Sequence, residues 1–492
     1  MKGNLKVLMV FPEIYPFART CNVGDVGGGL PKALKDLGHD VRVITPQYRI
    51  TNERKYVLRD VIRLQNIEVP MGKKTLRIHV KSAFIPHSKV QVYFIHYKPY
   101  FFREGIYTNP KDGKDYTDND KRFVLFSKGV LETLAKLQWQ PDVIHCHDWQ
   151  SGLIPFLLKT VHHDNPFFSK TRSLLTVHNF DRQGIFTPEC IDVLNLDGST
   201  DAPVRAISRG KECSFLKAGL VYADALSTVS PHYAQEVQSS EFGMLDVLKN
   251  RKDTLHGIVH GIDTNIWDPE RDSLLPSNYS SSEMAGKTEN KRLLLESVGL
   301  PVDEDRPLLA LCDSSREEKA LKMVGEELDR IMALGVLLVI MAGGGSGSLK
   351  AFEKKAKQFK DRLVVRPRGD EKMEHMLLAG ADMIVLPARM EPCEVTQLCS
   401  LRYGTIPIAL ESGGMADTVQ PFSKETGKGT GFLFKETRGK AFMKSLKQAL
   451  SLYRDKKSWV RIVRNAIRTD VSWESSARKY VKLYGKTIGK KR

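Results

Sequence analysis

Short runs of consecutive apolar residues alternate along this chain with helical stretches in which apolar positions recur every three to four residues. Apolar runs bounded by polar or turn residues predict strands buried on both faces, and the helices between them are then needed to cover a parallel sheet. In the first half these runs are LKVLMVFP (residues 5–12), HDVRVITP (39–46), PDVIHCHD (141–148) and SLLTVHNF (173–180). The first two flank a predicted helix, LPKALKDLG, with Pro31 in its first turn and Gly38 closing it. The last two end in polar residues, and ligands of open α/β sheets sit at the carboxyl ends of strands. A polar, loop-like stretch (268–291) interrupts the pattern, which restarts as RPLLALC, GVLLVIMAGGG, RLVVRP, DMIVLP and TIPIALESGG. The expected architecture is α/β with two successive domains and a cleft between them. The first covers residues 1–263, a linker region 264–304, the second domain 305–472, and a terminal helix 473–492.

Composition agrees with a folded chain of two cores. It has 492 residues, 41% of them hydrophobic and 27% charged, too long for one ordinary core and too apolar for disorder. The formal net charge of +17 favours anionic partners, but the basic residues are dispersed and only the tail GKTIGKKR (485–492) is dense. No helix-turn-helix, zinc-finger or RNA-recognition signature is present, so a nucleic-acid partner is not expected. The seven cysteines are scattered and never form C-x-x-C, which excludes a disulfide framework or zinc knuckle and points to a reducing compartment. Pro12 and Glu13 cut off the first apolar run, so it reads as a buried strand and not a signal peptide. No segment approaches the ~20 apolar residues of a membrane-spanning helix. A cytoplasmic protein without a membrane partner is the expectation.

Candidate chemistry gathers at a few strand ends. GDVGGG and GGGSGS lack the G-x-G-x-x-G spacing, and no G-x-x-x-x-G-K-[ST] occurs, so neither nucleotide fingerprint applies. Gly24, Gly27, Gly28 and Gly29 either bring a backbone close to an anion at a helix N-terminus or form a turn that lets helix and strand pack. In HCHDWQSG, Asp148 beside Trp149 suits sugar binding, a ring face for stacking and a carboxylate for hydroxyls; Asp148 as N-cap of the next helix is the alternative. TVHNFDRQG ends another strand with His178 and Asn179. In the second half, Glu391 follows a strand, and PCEVTQLCSLRYG opens a helix whose first turn suits a diphosphate or sugar hydroxyls. Lys319, after LLALC, either neutralises phosphate charge or is a solvated surface lysine. No His and carboxylate cluster has metal-site spacing, so no metal is expected.

These pieces, in this order, resemble the bacterial glycogen synthase and plant starch synthase family over nearly the whole chain. The resemblance is carried by LPKALKDLGHDVRVITPQY, PDVIHCHDWQSGLIPFLLKT, TVHNFDRQGIF, FLKAGLVYADALSTVSPHYA, HGIDTNIWDP, AGADMIVLPARMEPCEVTQL, LRYGTIPIALESGGMADTV and SWESSARKYVKLY. It implies a GT-B fold of two facing Rossmann-like domains, with the last helix returning to the first domain. It also implies retaining transfer of glucose from ADP-glucose to the non-reducing end of an α-1,4-glucan, without cofactor or metal. Carried over by position, Asp148, His178 and Glu391 are catalytic, and Arg19, Asp25, Lys319, Arg316, Cys393 and Thr396 contact the donor.

The chain departs from that pattern around the donor's diphosphate. The family's lysine-threonine-glycine-glycine-leucine is Arg19-Thr20-Cys21-Asn22-Val23 here, which either adds side chains where a phosphate approaches the backbone or forces the loop away. Aligned on Lys319, the family's phosphate-binding arginine is Ser314, with Arg316 two residues later. Glu394 replaces the glycine of glutamate-proline-cysteine-glycine, and His260 the asparagine before glycine-isoleucine-aspartate. The resemblance thus implies either an active synthase with a modified donor pocket, a synthase using another nucleotide sugar, or a weak homologue that binds glucan and regulates or primes synthesis.

Overall fold

In the computed structural model, residues 3–196, 204–205, 207–239, 244–313, 319–342, 347–367, 370–387, 395–436 and 438–489 are described. The chain divides into two compact units, Met1–Ile258 with Trp473–Arg492, and Val259–Ser472. Among the described residues no helix is long and apolar enough to cross a membrane.

In the first unit the predicted apolar runs become β1 (Lys6–Val10), β2 (Asp40–Pro46), β7 (Val143–His147) and β8 (Arg172–Val177). Between them lie β3 (Arg59–Asp60), β4 (Ile67–Met71), β5 (Lys74–Phe84) and β6 (Gln91–His96), which none of the predicted runs covers. β9 (Ile185–Phe186), β10 (Ser208–Arg209) and β11 (Glu212–Ser214) form a small separate sheet, and β12 (Ala225–Thr228) and β13 (Leu255–Gly257) complete the large one. The order of the large sheet is β13-β12-β8-β7-β1-β2-β6-β5-β3, with β4 paired to β5. β4 alternates buried and exposed positions, because the antiparallel part of the sheet is covered on one face only. Val7 pairs with Val143, and His147 with Thr176, so β1, β7 and β8 end side by side.

The glycines correct the sequence reading. The helix does not start near Leu30; it spans Asn22–Asp36 and contains Gly24, Gly27, Gly28, Gly29 and an internal Pro31. They serve close packing. A Cβ on Gly28 would lie 2.9 Å from the Tyr15 carbonyl oxygen, and one on Gly29 2.0 Å from Nε1 of Trp473, on the terminal helix Trp473–Gly489. Trp473, Ala477, Tyr480, Leu483 and Tyr484 of that helix join β1 and β2 in one hydrophobic core. Gly29→Ala is therefore expected to destabilise the protein by ~1–3 kcal/mol through overpacking. Thermal unfolding checks this against Gly24→Ala, where the nearest atoms are 3.2 Å away.

The second unit holds β14 (Leu308–Asp313), β15 (Leu337–Ala342), β16 (Leu363–Pro367), β17 (Met383–Leu386), β18 (Ile406–Leu410) and β19 (Phe432–Phe434). All pair in parallel in the order β16-β15-β14-β17-β18-β19. The first five coincide with the predicted runs. The polar stretch 268–291 is not simply a loop, since the helix Ala285–Val298 begins within it and packs inside this unit. The inward side of its first half is polar (Lys287, Asn290, Lys291), with Leu294, Leu295 and Val298 buried only further on, which hides its start from a search for apolar periodicity. Lys287 Nζ donates to the carbonyls of Ala379, Ala381 and Tyr403 and to Thr405 Oγ1, and Lys291 Nζ lies 2.7 Å from Asp382 Oδ2.

Candidate active site

Two clusters occupy the carboxyl end of the parallel sheet in the first unit. The first is built on β7 and β8. Asp148 follows β7 with φ 58° and ψ −176°, a conformation essentially reserved for glycine. Strain of this kind, of order 1–3 kcal/mol, persists only where surrounding bonds over-determine it. Here the Asp148 backbone N–H donates to the Thr176 carbonyl at 2.9 Å, and its Oδ1 accepts from the backbone N–H of His178 at 2.7 Å. The carboxylate makes no helix cap, so the capping alternative is set aside. The His178 ring, buried like the strand end beneath it, has Nε2 3.0 Å from Nδ1 of His147.

Trp149 is not a stacking platform for a sugar. Its ring packs edge-on against Phe123 and beside Phe186 and Phe215. Gly184, at φ +57°, passes so close that a Cβ there would lie 2.3 Å from Trp149 Cε3. The ring is a buried wedge that seats the loop after His178.

The second cluster is organised by Glu13, just beyond β1 and fully buried. Its Oε1 accepts from the backbone N–H groups of Thr20 and Cys21 at 3.0 and 2.8 Å and from the Cys21 thiol at 3.3 Å. Its Oε2 accepts from the hydroxyls of Thr20 at 2.6 Å and Tyr107 at 3.2 Å. Burial, with Glu13 next to it, raises the Tyr107 phenol well above its ordinary range and keeps it a donor. Four of these five contacts gather Thr20 and Cys21 against the sheet, and the fifth ties in Tyr107. Arg19 and Asp25, both assigned to the donor, are paired with each other: Asp25 Oδ2 lies 3.0 Å from Nε and 2.8 Å from Nη2 of Arg19.

In the second unit, Lys319 begins the helix Lys319–Met332 directly beyond β14, and Thr396 is half-buried in the first turn of the helix Val395–Arg402. Arg316, Glu391 and Cys393, with Ser314 and Glu394, lie outside the described residues, as does the side chain of Lys319. Among the described residues no cluster of three or more His, Cys, Asp or Glu is arranged to hold a metal ion.

Sequence reasoning missed Glu13 and His147. A carboxylate interrupting an apolar strand end, in FPEIYPF, was the available signal for the first. For the second it was strand alternation, which puts His145 and His147 on one face of β7.

A family model described as the starch synthase catalytic domain matches residues 6–250, and one described as glycosyl transferases group 1 matches residues 296–468. Over 491 residues the chain is 36% identical to the glycogen synthase of Chlorobaculum parvum, covering 99% of this chain and 100% of that one. It is 40% identical over 491 residues to the glycogen synthase of Desulforudis audaxviator, covering 98% and 96%. The chain belongs to the glycogen and starch synthase family. A solved relative, the catalytic domain of starch synthase IV from Arabidopsis thaliana bound to ADP and acarbose, superposes with a TM-score of 0.88 at 29% identity, covering 99% of this chain and 100% of that one. Sucrose-phosphate synthase from Thermosynechococcus elongatus, at 15% identity and a TM-score of 0.58, shares the fold. Within this synthase family the chain is a glycosyltransferase of two Rossmann-like units, and its Arg19-Thr20-Cys21-Asn22 segment is an ordered, buried-carboxylate-anchored feature.

Proposed function

We propose that this chain transfers glucose from ADP-glucose to the non-reducing end of an α-1,4-glucan with retention of configuration, in the cytoplasm and without a metal or other cofactor. The C1–O bond to the diphosphate breaks, a C1–O bond to the acceptor's 4-hydroxyl forms, and the hydroxyl proton leaves with the diphosphate. Negative charge grows on the departing diphosphate and positive charge on the sugar ring, so cations belong at the phosphates and an electron-rich surround at C1. Asp148 and His178 serve the transferred glucose, and Glu391 holds its hydroxyls. Arg19, Asp25, Lys319, Arg316, Cys393 and Thr396 serve the donor. The observation that carries this reading is the strained Asp148, bonded to His178 at the ends of β7 and β8, in a chain similar end to end to proteins named glycogen synthase.

One observation favours a second reading, a synthase with a weakened donor site. The Arg19 cation, in the position of the family's lysine, is engaged by Asp25. Purified protein is to be given glycogen with labelled ADP-glucose, UDP-glucose or GDP-sugars in parallel. Transfer from ADP-glucose is expected. No transfer from any donor, with glycogen binding intact, would refute the enzyme reading and leave a glucan-binding homologue.

A further inference from the structure

His147 has no part in the reaction as described, yet it is among the most enclosed polar groups of the first unit, fully buried at the end of β7. Phe11, just beyond β1, stacks on its ring with centroids 3.9 Å apart and planes 15° apart. His145, two residues earlier on the same strand face, lies 4.1 Å from it. His145 is itself held through both nitrogens, Nδ1 to the hydroxyl of Tyr484 on the terminal helix at 2.8 Å and Nε2 to the Thr176 hydroxyl at 2.6 Å. Thr176 continues to Ser227 at 2.5 Å. Burial pushes His145 down to about 3, so its ring is neutral and places no charge beside His147.

An apolar side chain would fill this position at less desolvation cost than an imidazole. The imidazole brings a polar atom, Nδ1, 3.0 Å from Nε2 of His178. A neutral imidazole has one donor and one acceptor nitrogen, so the bond at Nε2 decides the role left to Nδ1. With Nε2 bound to His147, the plane of the His178 ring at the end of β8 is set. The Asp148 bond, by contrast, holds only the His178 backbone.

We propose that His147 is a positioning residue for glucosyl transfer, fixing through its Nδ1 contact the ring orientation and tautomer with which His178 meets the transferred glucose. Phe11 and His145 keep His147 in place, and Tyr484 ties that arrangement to the terminal helix. The proposal rests on the reading of Asp148 and His178 given above.

Three variants test it by steady-state kinetics with ADP-glucose and glycogen. His147→Leu keeps bulk and removes the bond; kcat is expected to fall about 10- to 100-fold, the scale of a misoriented group, with both KM values unchanged. His147→Asn, whose amide reaches the place of Nδ1, is expected to recover most of that loss. His147→Gln, whose amide reaches further toward the place of Nε2, is not. If His147→Leu fails to fold, the ratio of the Asn and Gln variants carries the test. In the wild type with nitrogen-labelled histidine, a coupling across the His147–His178 hydrogen bond is expected. Its absence, an unchanged kcat in folded His147→Leu, or a Gln variant as active as the Asn variant overturns the proposal. A wild type that transfers from no donor removes the functional reading as well; a transferring wild type indifferent to His147 removes only this inference.

Discussion

Asp148→Gly is expected to lose transfer by more than about a hundredfold while leaving the fold nearly as stable as the wild type. Two opposing terms set the stability. Glycine relieves the φ 58°, ψ −176° backbone, worth ~1–3 kcal/mol, but loses the charge-assisted bond to the His178 N–H, worth ~1.5–3 kcal/mol. Their near cancellation predicts a thermal midpoint within a few degrees of the wild type. The activity has no such compensation, because the carboxylate itself is lost. Calorimetry and the transfer assay on one preparation decide it. A variant that is both folded and active shows that Asp148 serves the backbone alone.

Restoring the family's donor loop is expected to act in the opposite sense. The triple variant Arg19→Lys, Cys21→Gly, Asn22→Gly removes two side chains from the start of the helix and replaces a planar guanidinium, held by Asp25 through both Nε and Nη2, with a compact ammonium. Glu13 grips the backbone N–H groups of Thr20 and Cys21, a hold that glycine at 21 keeps. One recovered charged contact to phosphate, ~1.5–3 kcal/mol, corresponds to roughly ten- to hundredfold tighter ADP-glucose binding. Titration calorimetry reads it directly. Unchanged affinity would mean that this segment does not face the diphosphate.

The site was legible to different depths in different places. Asp148 and His178 stand out because each ends a continuous apolar run, and the parallel register brings the two ends together. Trp149 misled, since the same residue pair describes a sugar platform and a core wedge, and only the approach of Gly184 and Phe186 separates them. The glycines misled similarly. Spacing showed that something comes close to their backbone, but the visitors are Tyr15 at Gly28 and Trp473 at Gly29, 13 and 444 residues away in sequence.

Two α/β domains, most of their parallel strands and the family were written in local order, because buried strands need unbroken apolar runs and every such run is visible without knowing its neighbours. Contacts between segments distant in sequence are not written that way. The Tyr107 contact of Glu13, the His147–His178 bond, the Tyr484–His145 bond and the seat of the terminal helix depend on where the sheet sets each strand end. Those are polar or aromatic groups whose identity in the chain allows many partners, and burial against one particular neighbour chose among them.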